Sequence, residues 1–289
     1  MRVSNVCLRL LERVGAVNDV GSSSFVPLVV DGVVGAIAER DAEAVCGTPA
    51  FRRVGGAVRL AEELQALDST GRTAGVAEAT AALRDAGIVR GWRDELVPVA
   101  PAFGAEPAFL VERAAYPLLG AKGYGVHVNG FVRDPLRLWV GRRSPTKQTW
   151  PGMLDHLVAG HVSHGLSPGE TVVKEAGEEA GVEPSLARTA RPAGAVSYRG
   201  ADEEGRLKDD TLFVYDLELP GNFVPTPVDG EVDSFSLWDI DTVLANIEHF
   251  KPNVVLVIAD FLVRHGILTP AEPGYLDLVK ALRCSGECR

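Results

Sequence analysis

The sequence predicts a layered α/β (α+β) protein in two parts, a smaller N-terminal α+β unit followed by a larger unit built on a mixed sheet. Three observations predict it. Stretches of strand character alternate with stretches of helical period along the whole chain. The 289 residues are too many for one small domain and suit two. The chain changes character after Pro117, where long apolar strands begin. Residues 1–115 are assigned to the N-terminal unit, 116–245 to the central unit, and 246–289 to C-terminal helices packed on it.

In the first part, LRLLERVGAV reads as an amphipathic helix. SFVPLVVDGVVGAIAE follows as β-branched runs broken at Asp31-Gly32, a hairpin signal. GVAEATAALRDAGIV is helical, with Gly87 as its stop. No catalytic constellation stands out in this half. In the second part, YGVHVNGFV and LRLWVGRR pair around RDPLR, and MLDHLVAGHV is a third strand. A punctuated helix comes next. Ser167 is its N-cap, Pro168 its first position, Glu170 the capping-box partner, Gly181 the C′ residue, and Pro184 prevents continuation. AGAVSY, TLFVYDLEL and VDSFSLW are strands, and IDTVLANIEHF, NVVLVIADFLVRHG and YLDLVKALR are helices.

Composition narrows the function. Hydrophobic content is 46% and charged content 24%, ordinary for a globular chain with a sizeable core. A net charge of −10 argues against nucleic acid, whose phosphates are bound by basic surface. The longest apolar run, Val254 to Val263, contains Asp260 and is too short to span a bilayer. Four scattered cysteines, Cys7, Cys46, Cys284 and Cys288, make no disulfide framework. A soluble protein of a reducing compartment, the cytoplasm, is expected.

The helix after Ser167 carries KEAGEEAGV, with Glu175, Glu178 and Glu179 within five residues. At helical spacing Val172, Val173, Ala176 and Ala180 form one apolar stripe, and the three glutamates share a neighbouring face. Like charges at i, i+3 and i+4 cost an isolated helix a few tenths of a kcal/mol per pair, and anions near its C-terminus oppose the dipole. Such a face is either a solvated acidic surface or a site for a hard cation such as Mg²⁺, which prefers oxygen ligands.

The context decides between them. The segment GHVSHGLSPGETVVKEAGEEAGV, Gly160 to Val182, resembles the Nudix box, whose pattern is G-x5-E-x7-R-E-U-x-E-E-x-G-U with U aliphatic. Gly160 takes the first position, and Glu175, Ala176, Glu178, Glu179, Gly181 and Val182 match the later ones. Leu166 replaces the first Glu, Lys174 the Arg, and His161 the usual second Gly. Glu170 stands four residues before Lys174, the favourable order for a helical ion pair, and is expected to replace the missing brace. Beyond the box, most of residues 20–280, the N-terminal half more weakly, resembles a subgroup of Nudix proteins related to thiamine-pyrophosphokinase fusions, in which an extra N-terminal domain precedes the Nudix domain.

The resemblance implies an α/β/α sandwich and a Mg²⁺- or Mn²⁺-dependent attack of water on a small organic diphosphate, with thiamine diphosphate or its oxidised analogues as the substrate class. It implies Glu175, Glu178 and Glu179 as metal ligands, and one of Glu175, Glu178 or Glu231 as general base. Arg142, Arg143 and Lys147, after a strand, suit the diphosphate as fork-shaped and point charges, and Gly160 and His161 are expected beside it. His127 and Asn129 share one strand face and are expected to be structural. Trp150 and Tyr198 are aromatic candidates for stacking, with core packing the commoner fate. His161 and His164 lack a third ligand for zinc. Two other functions stay open. One is a weakened Nudix domain that senses a ligand. The other is isomerase chemistry on an isoprenoid diphosphate, which all four cysteines lying outside 116–245 disfavour. The N-terminal unit either caps the site or forms a homodimer.

Overall fold

The computed structural model describes residues 5–283, so Cys284 and Cys288 lie outside the described residues. Helix α1 (Val6–Val17) leads into the hairpin β1 (Phe25–Val29) and β2 (Val33–Ala38), turned at Asp31-Gly32 as expected. Then come α2 (Glu39–Cys46), β3 (Phe51–Val54), β4 (Ala57–Leu60), α3 (Glu62–Gln65) and α4 (Ser69–Asp85). The strands form a four-stranded sheet in the order β2-β1-β4-β3. Asp68 caps α4 by accepting the Gly71 N–H at 2.8 Å, and Gly87, at φ 75°, follows its end. Strands β5 (Leu96–Val99) and β6 (Phe109–Glu112) make a separate antiparallel ribbon against α4. The pieces α2, α3 and β3 to β6 are too short for a helical or strand period to show in the sequence.

The second part is the mixed sheet. It uses β7 (Lys122–Val132), β8 (Arg137–Arg143), β9 (Leu154–Asp155), β10 (Val158–His161), β11 (Arg191–Ala201), β12 (Leu207–Glu218) and β13 (Val232–Asp239). Its path is β11-β12-β7-β8-β13. Strands β7 and β8 pair at Phe131↔Leu138 and Val132↔Arg137 and then splay. The gap is filled by β10 on β7 and β9 on β8. The stretch expected as one strand, MLDHLVAGHV, is therefore two. The chain changes partner at His156-Leu157, where Asp155 accepts the His156 N–H at 2.9 Å.

Helix α5 (Pro168–Ala180), followed by α6 (Pro184–Ala187), covers one face. Val126, Val128, Trp139, Leu157 and Leu217 meet Val172, Ala176 and Ala180 there. The chain then continues through α7 (Ile240–Ala245) and a 3-10 turn (Ile247–His249), which together replace the single helix expected over 240–250. Helices α8 (Pro252–Arg264) and α9 (Tyr275–Ala281) cover the opposite face. The apolar run of α8 is buried on nearly all sides, with Asp260 gripped by Arg264 at 2.6 Å and by Arg283. No helix among the described residues is long and apolar enough to cross a membrane. Helix α1, early in the chain, packs with α8 and α9 rather than with the N-terminal sheet: Cys7, Leu10 and Val14 are buried beside Leu256, Phe261 and Leu278. The result is a sheet between helical layers, an α/β/α sandwich, clasped by the chain's first helix.

Candidate active site

Helix α5 begins where the sequence places it. Ser167 Oγ accepts the Glu170 N–H at 3.2 Å, and the Glu170 carboxylate accepts the Ser167 N–H at 2.9 Å. Gly181 ends the helix at φ 61°, in the left-handed region that glycine enters without penalty. The reciprocal cap overturns one expectation. The Glu170 carboxylate is taken up by the cap, so it does not brace Lys174. Lys174 turns the other way and places Nζ 3.0 Å from Glu175 Oε1 and 2.8 Å from Glu178 Oε2.

The acidic face meets the outer edge of β10. Glu179 is buried, and its Oε2 accepts the Ala159 N–H at 2.9 Å. One turn earlier, Glu175 lies against Gly160, where a Cβ would come within 2.5 Å of Glu175 Cδ and closer still to Cγ. Gly160 is thus required by the approach of a carboxylate, not by its backbone angle. Glu178 sits on the exposed rim. Burial pushes the Glu179 carboxyl well above the usual range, and Asp155, Glu175 and Glu231 push it further, against the one Ala159 N–H. Burial also raises Glu175, partly offset by Lys174.

Glu231 reaches the same space from the start of β13. It pairs with Lys147 and lies 3.8 Å from an Arg93 nitrogen. Burial would raise its carboxyl, but Lys147, Arg93 and Arg113 bring it below the usual range. Of the other cations, Arg142 donates to the Gly152 carbonyl at 2.9 Å. Arg143 donates to the Trp150 and Thr149 carbonyls and to Asp155 at 2.9 Å. Both arginines hold the 144–153 loop. His161 is half-buried against Tyr116, with ring centroids 5.2 Å apart, and burial lowers its imidazole to about 4. Beneath the site, His127 stands edge-on to His156 at 5.1 Å, and Asn129 donates to Asp216 at 2.9 Å, so both have structural surroundings. Tyr198 is buried with its hydroxyl donated to Asp210 at 2.6 Å, whereas Trp150 is partly exposed at φ 53°.

A NUDIX domain model matches residues 123–257, and a domain of unknown function, DUF4743, matches residues 8–123. The chain carries a Nudix domain. Nudix hydrolase 20, chloroplastic, of Arabidopsis thaliana is 50% identical over 236 residues, which is 80% of this chain and 62% of that protein. Nudix hydrolase 24, chloroplastic, of the same organism is 49% identical over 243 residues, 82% of this chain and 66% of that protein. The chain thus spans a little under two thirds of the length of these relatives. Among solved structures, DR0079 from Deinococcus radiodurans is similar at 25% identity and a TM-score of 0.38, over 47% of this chain and 81% of that one.

The Nudix residues suit a hard divalent ion in kind. Glu175 and Glu178 both bond the Lys174 ammonium, and Glu179 is a buried carboxyl group with no basic side chain bonded to it among the described residues. Among the described residues no group of three His, Cys, Asp or Glu side chains is already arranged to hold a metal ion. Mg²⁺ seldom needs one, because it keeps waters and shares phosphate oxygens with substrate. Sequence reasoning missed Arg93, Arg113 and Asp155. The arginines come from the other domain, and no local motif marks them.

Proposed function

We propose that this chain is a metal-dependent hydrolase that cleaves the diphosphate linkage of a small organic diphosphate. One observation carries the proposal: Glu175 and Glu178 of α5 share the Lys174 ammonium, and Glu179 on the same helix is buried at the β10 edge with no basic side chain bonded to it among the described residues. Burying an unpaired carboxylate costs several kcal/mol, which a cation at that point offsets. Mg²⁺ or Mn²⁺, when bound, supplies charge to the phosphate oxygens and acidity to a water. Glu175, Glu178 and Glu179 are the residues that would hold it.

Glu231 is kept ionised by Lys147, Arg93 and Arg113, which makes it a weak base and a good anchor for those cations. Glu175, set against Gly160 at the β10 edge, is the carboxylate we assign to take the proton of the attacking water. As water adds to phosphorus, the bond to the bridging oxygen breaks and two phosphate products leave. Arg142 and Arg143 shape the loop beside the site, while Lys147 and His161 lie along its edge. The substrate class suggested by sequence resemblance is thiamine diphosphate or its oxidised forms. Cys7 and Cys46 are free thiols, which suits a reducing compartment such as the cytoplasm.

The test is product release from thiamine diphosphate, oxothiamine diphosphate, ADP-ribose, a nucleoside triphosphate and a dinucleotide, with Mg²⁺ or Mn²⁺, for wild type and Glu178→Gln. Metal-dependent turnover that collapses in the variant supports the hydrolase. Absence of turnover on every compound, with metal bound, would replace it by a ligand sensor.

A further inference from the structure

We propose that Arg93 and Arg113 of the N-terminal domain form an anion subsite that grips the outer phosphate of the substrate, so that the active site is shared between the two domains. This rests on the hydrolase reading above and assigns the N-terminal domain its role there.

The two arginines stand at the same end of one ribbon. Arg93 precedes β5, Arg113 follows β6, and the register pairs Leu96 with Glu112. Glu112 locks that end. It is buried, its Oε1 accepts the Arg93 N–H at 2.8 Å and the Ala114 N–H at 3.2 Å, and its Oε2 accepts the Glu95 N–H at 3.2 Å. A charged acceptor on three backbone donors fixes the path of the chain at both arginines. The same end docks on the loop between β10 and α5. The His164 N–H donates to the Leu96 carbonyl at 3.1 Å, and Ser163 Oγ donates to Glu95. One of the domain contacts is therefore made by the segment that carries the arginines, against the loop that leads into the acidic helix.

The side chains face the site. Arg93 lies 3.8 Å from Glu231, and Arg113 is held by Glu95 at 2.7 Å. The positive charge of Arg113 lowers the carboxyls of Glu175 and Glu231 and the imidazole of His161, so it adds to the positive potential on that side. Each arginine keeps about a third of its side chain or less exposed, 31% and 27%. A guanidinium carries five N–H donors, and Arg113 gives one of them to Glu95 among the described residues. Charge balance points the same way. The Nudix side offers Glu175, Glu178, Glu179 and Glu231, and of its cations Lys174, Lys147 and Arg143 each bond a carboxylate, while Arg142 bonds the Gly152 carbonyl. A diphosphate entering this acidic space gains from further fork-shaped donors, and the ribbon presents two.

The test uses the full chain and methylenediphosphonate, a non-hydrolysable diphosphate, titrated calorimetrically with Mg²⁺ present. Arg93→Ala and Arg113→Ala should each weaken binding roughly tenfold, as expected for a charge-assisted contact. Arg113→Lys should recover part of the loss, because it keeps the charge without the fork. Thermal melting checks folding. The Arg93 side chain has only the long contact to Glu231 among the described residues, so its variant tests the subsite even where Arg113→Ala disturbs the ribbon. Unchanged affinity in folded Arg93→Ala and Arg113→Ala, or no binding by wild type, overturns the subsite. Turnover that depends on Glu178 while KM ignores both arginines sinks the subsite and leaves the hydrolase. Arginine-dependent binding without Glu178-dependent turnover does the reverse.

Discussion

Replacing Gly160 by alanine should damage the metal response far more than the fold. The added Cβ would lie 2.5 Å from Glu175 Cδ. Ordinary carbon contacts begin near about 3.5 Å, so Glu175 must retreat by about 1 Å. It can do so, because the clash is with a flexible side chain and not with backbone. The stability cost should stay at the lower end of the ~1–3 kcal/mol typical of overpacking. A misplacement of about 1 Å at a reacting group can lower rates on the order of 100-fold. Gly130→Ala provides the control: its Cβ would meet the Leu157 Cβ at 2.9 Å, in the core and away from the acids. The assay is diphosphate turnover against Mg²⁺ concentration, with urea unfolding of each variant. Gly160→Ala should lose turnover at near-native stability, and Gly130→Ala should lose stability with its metal response intact. Full turnover in folded Gly160→Ala would refute the idea that this glycine exists to admit Glu175.

Three other outcomes follow from the same geometry. Glu179→Gln should melt higher than wild type at pH 8 without metal and should lose Mg²⁺-induced stabilisation. The folded carboxyl sits above its unfolded value, so its contribution is full below the unfolded pKa of ~4.5 and is lost as pH rises through the folded one; glutamine removes that loss. Equal melting of the two proteins at pH 8 would count against this. His156 carries the opposite sign: burial lowers it to about 4, so its stability is present above pH ~6.5 and lost as pH falls toward the folded value. Unfolding free energy measured from pH 7 to 4.5 should fall less steeply in His156→Gln, by about 1 kcal/mol per pH unit in that window. Ser167→Ala removes both Ser167 Oγ bonds to Glu170 and should cost about 1 kcal/mol, seen as a melting point a few degrees lower.

The sequence reveals most where local chemistry decides the structure. The cap of α5, its stop at Gly181, the hairpin at Asp31-Gly32 and the acidic face are set by neighbours within four residues, and all are found. The Glu170–Lys174 brace fails for a local reason too: the N-cap bonds hold the same carboxylate, and the helix pair lost that competition. What could not be read lies far apart in the chain. Helix α1 buries Leu10 against α8 and α9, at the opposite end of the sequence, because an amphipathic stripe states that a face is buried and not against what. Arg93 and Arg113 look like any surface arginines until the ribbon is docked on the 162–167 loop. The strand break at His156 is hidden because LDHLVAG keeps an apolar tone through a change of partner.

The central claim is that the glutamates of α5 hold a divalent ion. Mn²⁺ titration followed by electron paramagnetic resonance tests it most directly, on wild type, Glu178→Gln and Glu179→Gln. Wild type should show a Mn²⁺ site whose affinity falls at least roughly tenfold in either variant, as loss of a charged ligand requires. Equal Mn²⁺ binding by all three folded proteins would contradict it.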